Sequence, residues 1–327
     1  MDNSKRLYYL DNARGLSILC VMIGHIYSGD NALITWIYSF HVPLFFIISG
    51  ALLYYKNIVN KNFFDLTISR IKSILIPYIM FSIVNILFEI ILKPSLETLK
   101  WTLIQTITLF GIGGPTWFLP ALFIGEILFI SINKCVNNKF SKFIIINTLF
   151  IIPFIFKSNH IIVTVILRSL TSLGYIAIGY YIFRYLIKVD LSWLSLALIF
   201  ISSLILSKIN GKVNLYLLHY NNPILYLISA TIGSILIILT LKKLNNFNIK
   251  YLTYFGLNSI IIMATHQNLM RVCQIILKNN LEGFFVETFL LVIIIILEVP
   301  LVYIINNYLP FMIGKSNYKK RLETIID

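Results

Sequence analysis

Residues 284–306 read FFVETFLLVIIIILEVPLVYIIN, a stretch in which Glu287 and Glu298 are the charged side chains. A helix needs about 20 mostly apolar residues to cross the hydrocarbon core of a membrane, which is about 30 Å thick. Similar stretches recur along the chain. The predicted spans are residues 9–28, 36–55, 74–92, 116–133, 142–157, 169–187, 191–207, 222–241, 256–277 and 284–306. We therefore predict an all-α fold, a polytopic membrane helical bundle of about ten transmembrane helices.

The composition supports the same fold class. Of 327 residues, 58% are hydrophobic and 12% are charged, and the mean hydropathy is +0.85. A soluble domain carries roughly 25% charged residues, so this chain could not cover a water-facing surface with polar groups. The composition excludes a cytosolic enzyme, a disordered chain and a disulfide scaffold. We predict a single transmembrane domain over residues 1–327.

The positive charges predict how the chain is oriented. Lys and Arg number 27 against 13 Asp and Glu, which gives a formal net charge of +14. Positive residues favour cytoplasmic loops, and most of them fall in segments on the same side as the N-terminus. We therefore predict both termini in the cytoplasm, and contacts with membrane lipids rather than with nucleic acid. The segment 95–112 contains Lys100 and Gln105, and we interpret it as an interfacial or re-entrant piece.

The first predicted span contains Asp11, Arg14 and His25, and ionisable groups within a span usually mark a cavity or a pathway. Arg14 and His25 differ by only about 20° around a helix and stand about 16 Å apart along it. Asp11 lies on nearly the same face and is spaced to pair with Arg14. The alternative is that Arg14 extends to the headgroups and His25 bonds to a neighbouring helix.

Two further segments near the N-terminal half carry candidate residues. His41 is predicted at a depth similar to that of His25, and Ser49 precedes a glycine that would allow a close helix contact or a ligand chain. Arg70 and Lys72 precede the third span, where they would bind phosphates. They could equally be anchors to anionic lipid, and residue type alone favours the anchor.

Polar residues also interrupt later spans. Trp117 follows a Gly- and Pro-rich segment, and irregular backbone at the membrane edge is tolerated where it lines a cavity. Glu126 lies deeper and needs a partner, for which Arg271 is one candidate. His266 belongs to the polar insert THQN at 265–268.

Several of these segments together resemble a known family. Residues 10–15, LDNARG, followed by His25 are similar to the signature of the acyltransferase-3 family of integral membrane acyltransferases, an arginine and a histidine separated by ten residues. Residues 40–50, FHVPLFFIISG, resemble the block that follows in that family. Residues 116–120, TWFLP, resemble a later block.

The resemblance continues to the end of the chain. The cationic segment at Arg70 and Lys72 and the pair His266-Gln267 look like further family blocks. Residues 310–315, PFMIGK, look like the closing segment of the sugar O-acetyltransferase-like branch. The resemblance therefore covers the whole chain.

The resemblance implies an O-acetyltransferase of the bacterial inner membrane, without a metal. It would move an acetyl group from cytosolic acetyl-CoA to a hydroxyl of a cell-surface or lipid-linked glycan. We predict His25 and Arg14 as catalytic residues, with His25 as general base because a free imidazole has a pKa near 6.5. A covalent acyl-histidine relay is the variant left open. The residues predicted to bind acetyl-CoA are Arg14, Arg70, Lys72 and Ser49. The residues predicted to form the substrate pocket are His41, Trp117, Glu126 and His266.

A transporter or flippase of lipid-linked sugars is the alternative from a different functional class. It would share the number of spans, the interior charges and the broken helices. The chain shows no evident two-fold repeat, and its interior charges concentrate in the first two spans. A glycan polymerase would be expected to have a large outer loop, which the sequence lacks. The residue pattern therefore favours the acyltransferase.

Overall fold

The computed structural model describes residues 6–27, 31–112, 115–244, 249–277 and 283–315. These residues fold into α-helices joined by short connections. In chain order the helices are α1 Tyr8–Ile26, α2 Ala32–Tyr55, α3 Phe63–Arg70, α4 Ile76–Leu92, α5 Leu96–Ile107, α6 Phe118–Cys135, α7 Lys139–Ile155, α8 Ile161–Leu186, α9 Trp193–Asn210, α10 Pro223–Lys243, α11 Lys250–Leu257, α12 Ser259–Ile276 and α13 Phe284–Tyr308.

Seven helical segments of the described chain are long and apolar enough to cross a membrane. They are Ala32–Tyr55, Phe63–Leu92, Pro115–Cys135, Ile161–Leu186, Trp193–Asn210, Pro223–Lys243 and Phe284–Tyr308. Large apolar side chains such as Ile91, Leu194 and Phe285 are exposed on their outer faces. An exposed apolar surface of this kind suits lipid rather than water. The prediction of an all-α membrane bundle is confirmed.

The interpretation of segment 95–112 is consistent with the structure, and two predicted spans differ in detail from the observed helices. The segment 95–112 contains α5, which has 12 residues and reaches only about 18 Å at about 1.5 Å per residue. That length is too short to cross the hydrocarbon core. Helix α8 begins at Ile161, eight residues before the predicted start. The predicted span 256–277 is broken at Asn258, which leaves the helical path with φ −107° and ψ 12° and separates α11 from α12.

Paired glycines hold α1 and α2 close to their neighbours. A Cβ added at Gly15 would collide with the carbonyl of Leu252 in α11, and one at Gly256 would collide with the carbonyl of Asp11. In the same way, Gly50 of α2 and Gly179 of α8 each pack against the backbone of the other helix. Small residues at such crossings let helix backbones approach closely. These contacts fix the rotation of α1 and α2, and so the direction in which their polar residues point.

Both ends of the described chain meet at one face of the bundle. Arg6, just before α1, and Lys315, just after the final 3-10 turn Pro310–Ile313, line the same cavity.

Candidate active site

One end of the bundle encloses a large cavity rich in cations, which we call the basic cavity. Its volume is about 920 Å³. Residues from α1, α2, α3, α6 and the α11–α12 junction form its walls, together with residues 313–315. The positively charged residues on its walls are Arg6, Arg14, Lys56, Arg70, Lys72 and Lys315. The carboxylates on its walls are Asp11, Asp65 and Glu126.

Arg14 faces the basic cavity without an ion-pair partner among the described residues. The expected pairing with Asp11 is not formed, because Asp11 binds Arg6 instead, with Nε of Arg6 2.7 Å from Oδ2 of Asp11. Asp11 and Glu126 are near enough to attract the charge of Arg14 but do not bind it directly. The guanidinium is therefore placed to bind an anion that enters the cavity.

Glu126 lies in the basic cavity rather than in the pocket predicted to hold the second substrate. Its Oε2 is 2.6 Å from Nε of Arg70, an ion pair by distance in which the angle is too bent for a hydrogen bond. Ser49 donates a hydrogen bond to its other oxygen. The suggested pairing of Glu126 with Arg271 is wrong, since Arg271 binds Glu89. The buried carboxylate of Glu126 thus orients Arg70, one of the cations of the cavity.

The chain between α3 and α4 places Arg70 and Lys72 on the cavity wall. Arg70 ends α3, and residues Ile71–Leu75 form a π-helical turn that carries Lys72. Wide turns of this kind occur frequently at functional sites, because they re-aim side chains within a continuous helix. Both predicted phosphate ligands therefore reach the same cavity as Arg14.

A second, smaller cavity lies along the other half of α1, and we call it the histidine cavity. Its volume is about 240 Å³. The lining residues whose side chains carry a polar group other than sulfur are His25, Tyr38, His41, Trp117, Asn214, Tyr216 and Gln267. Within the described residues, no Asp, Glu, Lys or Arg side chain lines it. The charge of the basic cavity is therefore absent from this pocket.

Backbone carbonyls fix the protonation pattern of two histidines. Nδ1 of His41 is 2.8 Å from the carbonyl of Ile37, and Nδ1 of His266 is 2.7 Å from the carbonyl of Ile262. Because a carbonyl only accepts, each Nδ1 must carry the hydrogen and each neutral ring keeps its lone pair on Nε2. His266 does not line the cavity. Its ring lies behind that of His25, with centroids 5.4 Å apart.

Gln267 contacts His25 directly, a role that the sequence did not indicate. Its side-chain nitrogen lies 3.4 Å from Nδ1 of His25. Its side-chain oxygen is buried and has no hydrogen-bond partner among the described residues. The position of Gln267 next to His266 was the feature of the sequence that could have pointed to it. A polar residue on α12 does not, however, indicate which residue of α1 it contacts.

The two cavities share part of their walls. Among the described residues, Phe45, Phe118 and Met263 line both of them. The rings of Phe45 and Phe118 are in contact, with centroids 5.4 Å apart. An apolar partition contributed by α2, α6 and α12 therefore separates the cations from the histidines.

Comparison with known proteins places the chain in a family. The family model described as an acyltransferase domain, of the acyltransferase-3 family, matches residues 7–305. No curated protein and no solved structure matches the chain. The described residues contain no group of three or more His, Cys, Asp or Glu side chains that could hold a metal ion. The match covers most of the chain, which therefore belongs to the acyltransferase-3 family and is an acyltransferase.

Proposed function

We propose that this member of the acyltransferase-3 family transfers an acetyl group from cytosolic acetyl-CoA to a hydroxyl of a cell-surface or lipid-linked glycan. One observation carries the proposal. Helix α1 presents Arg14 to the basic cavity and His25 to the histidine cavity. These two residues are about 16 Å apart along the helix axis. The spacing suits a long, thin thioester whose charged end stays with the cations while its acyl end reaches the imidazole.

The basic cavity supports the donor side of this reaction. Coenzyme A carries several phosphate charges, and arginine binds phosphate oxygens through charge-assisted, often bidentate hydrogen bonds. Arg14 has no ion-pair partner among the described residues, and Lys72 lies on the same wall. Arg70 is held by Glu126, which Ser49 orients in turn. We propose that Arg14, Arg70 and Lys72 bind the phosphates. We also propose that the protein lies in the bacterial inner membrane and that the basic cavity opens to the cytoplasm.

The histidine cavity supports the acceptor side. Its walls combine hydrogen-bonding groups such as His41 and Asn214 with the aromatic rings of Trp117 and Tyr216. Rings of this kind present large amphipathic surfaces. Because the described lining has no charged side chain, the acceptor unit that fits best is an uncharged ring bearing hydroxyl groups. His266 would act on the ring of His25, which it contacts, rather than touch the acceptor itself.

The chemistry requires one proton acceptor at the thioester. The acceptor hydroxyl attacks the thioester carbonyl carbon while His25 takes its proton. The tetrahedral intermediate then collapses with loss of the C–S bond, and the coenzyme leaves as a thiolate that recovers the proton from His25. The products are an acetyl ester and free coenzyme A.

Gln267 would keep His25 in the form that this step needs. For Nε2 of His25 to act as the base, Nδ1 must carry the hydrogen and donate it to an acceptor. Rotation of the Gln267 amide by about 180° exchanges its nitrogen and oxygen without changing its shape. The oxygen, which has no partner in the described residues, would then accept the hydrogen from Nδ1.

A transfer assay with purified full-length protein tests the proposal. The protein in lipid nanodiscs is mixed with labelled acetyl-CoA and with p-nitrophenyl glucoside, galactoside or N-acetylglucosaminide as acceptor probes. We expect acetylation of at least one probe by the wild type. H25A should lower the rate by about 10²- to 10⁴-fold, the usual contribution of a general base.

His160 provides the matched control, since it is an exposed histidine just before α8. H160A should act like the wild type. A wild-type rate in H25A would reject His25 as the base. If the wild type transferred acetyl from acetyl-CoA to none of the probes, the proposed donor and acceptor would be rejected.

A further inference from the structure

Arg168 of α8 is a buried cation that belongs to none of the predicted groups of site residues. Only 2% of its surface is exposed. Within the described part of the chain, no carboxylate forms an ion pair with it. A buried charge without a partner is strongly destabilising, so other groups must compensate for it.

Backbone carbonyls from two separate connections provide part of that compensation. Nε and Nη2 of Arg168 donate to the carbonyl of Tyr216 at 2.9 and 2.6 Å. Nη1 donates to the carbonyl of Phe110 at 3.1 Å. Tyr216 lies between α9 and α10, and Phe110 lies between α5 and α6. One guanidinium therefore joins two connections that are far apart in the chain.

Aromatic rings provide the rest. The guanidinium carbon lies 4.2 Å from the ring centroid of Tyr216, 4.5 Å from that of Phe110 and 5.2 Å from that of Trp117. Cation–π contacts of this kind strengthen when they are removed from water. Tyr216 and Trp117 both line the histidine cavity. Arg168 is thus bonded to the wall of that cavity without lining it.

The connection that carries Tyr216 is a folded loop, residues 211–222, which we call the α9–α10 loop. Asn214 and His219 exchange two backbone hydrogen bonds of 2.9 Å across its turn. Asn221 donates to the carbonyl of Lys212 at 2.8 Å, and Asn210 donates to the carbonyl of Tyr220 at 3.3 Å. The loop is therefore braced by its own hydrogen bonds and by Asn210 at the end of α9, and Arg168 fixes Tyr216, one of its cavity-lining residues, to the bundle.

We propose that Arg168 positions the aromatic wall of the histidine cavity, and that the α9–α10 loop it holds determines which acceptor the enzyme uses. This inference rests on the proposed function, because it assigns the acceptor to the histidine cavity. Arg168 is a positioning residue, since it acts through Tyr216 and Trp117. Lysine cannot replace it, because an ammonium group lacks the planar set of donors that bonds two carbonyls while it stacks on rings.

Separate measurements of acceptor and donor kinetics test the inference. With labelled acetyl-CoA and the best p-nitrophenyl glycoside, R168K and R168Q should raise the KM for the glycoside about tenfold, the lower end of the effect of losing one hydrogen bond to a charged group. The KM for acetyl-CoA should stay unchanged, because Arg168 does not line the basic cavity. Y216L should likewise raise the KM for the glycoside and leave the KM for acetyl-CoA unchanged. It removes the aromatic ring from the cavity wall but keeps the backbone carbonyl to which Arg168 donates.

Arg184 offers the control, since it lies on the same helix and its guanidinium stacks on Tyr185 at 4.6 Å, away from both cavities. R184Q should leave both KM values at the wild-type level. A glycoside KM within twofold of wild type in R168Q and Y216L would overturn the inference. So would an equal rise in both KM values, which would show general damage to the fold. Absence of transfer in the wild type would instead reject the proposed function.

Discussion

At the scale of single residues, the site depends on which of several chemically equivalent partners a charged side chain takes. Asp11 was expected to pair with Arg14, three residues away on α1, yet it binds Arg6. That choice leaves Arg14 available in the basic cavity. Glu126 likewise pairs with Arg70, a partner that the residue types allow but that the sequence does not single out from other cations. In both cases the carboxylate pairs with a different cation from the one that the sequence suggested.

The contact between Gln267 and His25 leads to a prediction at this scale. Q267L removes the group proposed to hold the hydrogen on Nδ1 of His25, so kcat should fall about 10- to 100-fold, the effect of one hydrogen bond to a charged group. The KM for acetyl-CoA should not change, because Gln267 lies outside the basic cavity. Q267E keeps an acceptor oxygen and should recover part of the activity. Steady-state kinetics with labelled acetyl-CoA provide both constants.

Gln274, on the same helix α12, is a control of the same residue type. Q274L should retain the wild-type kcat. If Q267E were as slow as Q267L, or if Q267L changed only the KM for acetyl-CoA, the positioning role of Gln267 would be wrong.

At the scale of helices, the helical repeat of α1 is the feature that the sequence described best. Arg14 and His25 were predicted to share a face, and both line cavities in the structure. The bounds of other elements were less accurate. Helix α8 begins earlier than expected, and α11 and α12 are separated at Asn258, whose side chain accepts a hydrogen bond from Asn306 at 2.8 Å.

The crossing of α2 and α8 leads to the prediction for this scale. Because a Cβ at Gly50 would collide with the carbonyl of Ile176, G50A must push the two helices apart. We expect a loss of about 1–3 kcal/mol in the free energy of unfolding, the usual cost of overpacking. Activity should fall as well, since α2 carries His41 and Ser49. Thermal unfolding in nanodiscs measures the first effect.

Ser202 lies on an exposed face of α9, and S202A serves as a helix substitution that should leave the melting temperature unchanged. An unchanged melting temperature in G50A would show that the crossing has room for a methyl group, contrary to the structure.

At the scale of the whole molecule, the proposed function depends on how a charged cavity and an uncharged cavity meet. Phe45, Phe118 and Met263 line both cavities, and they come from α2, α6 and α12. In the proposed reaction, the coenzyme binds on one side of this partition and the acyl group reacts on the other. The partition must therefore let the thin arm of the donor through.

M263W tests that requirement. A larger side chain at the partition should block the passage, so transfer to the glycoside probe should be lost while binding of labelled coenzyme A in the basic cavity remains. Equilibrium binding and transfer are measured on the same preparation. I276W, at an exposed position near the end of α12, is the control and should keep both properties. Normal transfer by M263W would exclude this route for the donor.

Local patterns in the sequence determined the membrane bundle, the family and the shared face of Arg14 and His25, because hydrophobic length and helical repeat depend on neighbouring residues. The tertiary structure alone decided which partners Asp11, Glu126 and Arg271 take, that Gln267 meets His25, and that Arg168 holds a loop over the second cavity. The helical repeat fixes angles within one helix. The rotation of one helix against another is set by close packing between residues far apart in the chain, as at Gly15 and Leu252.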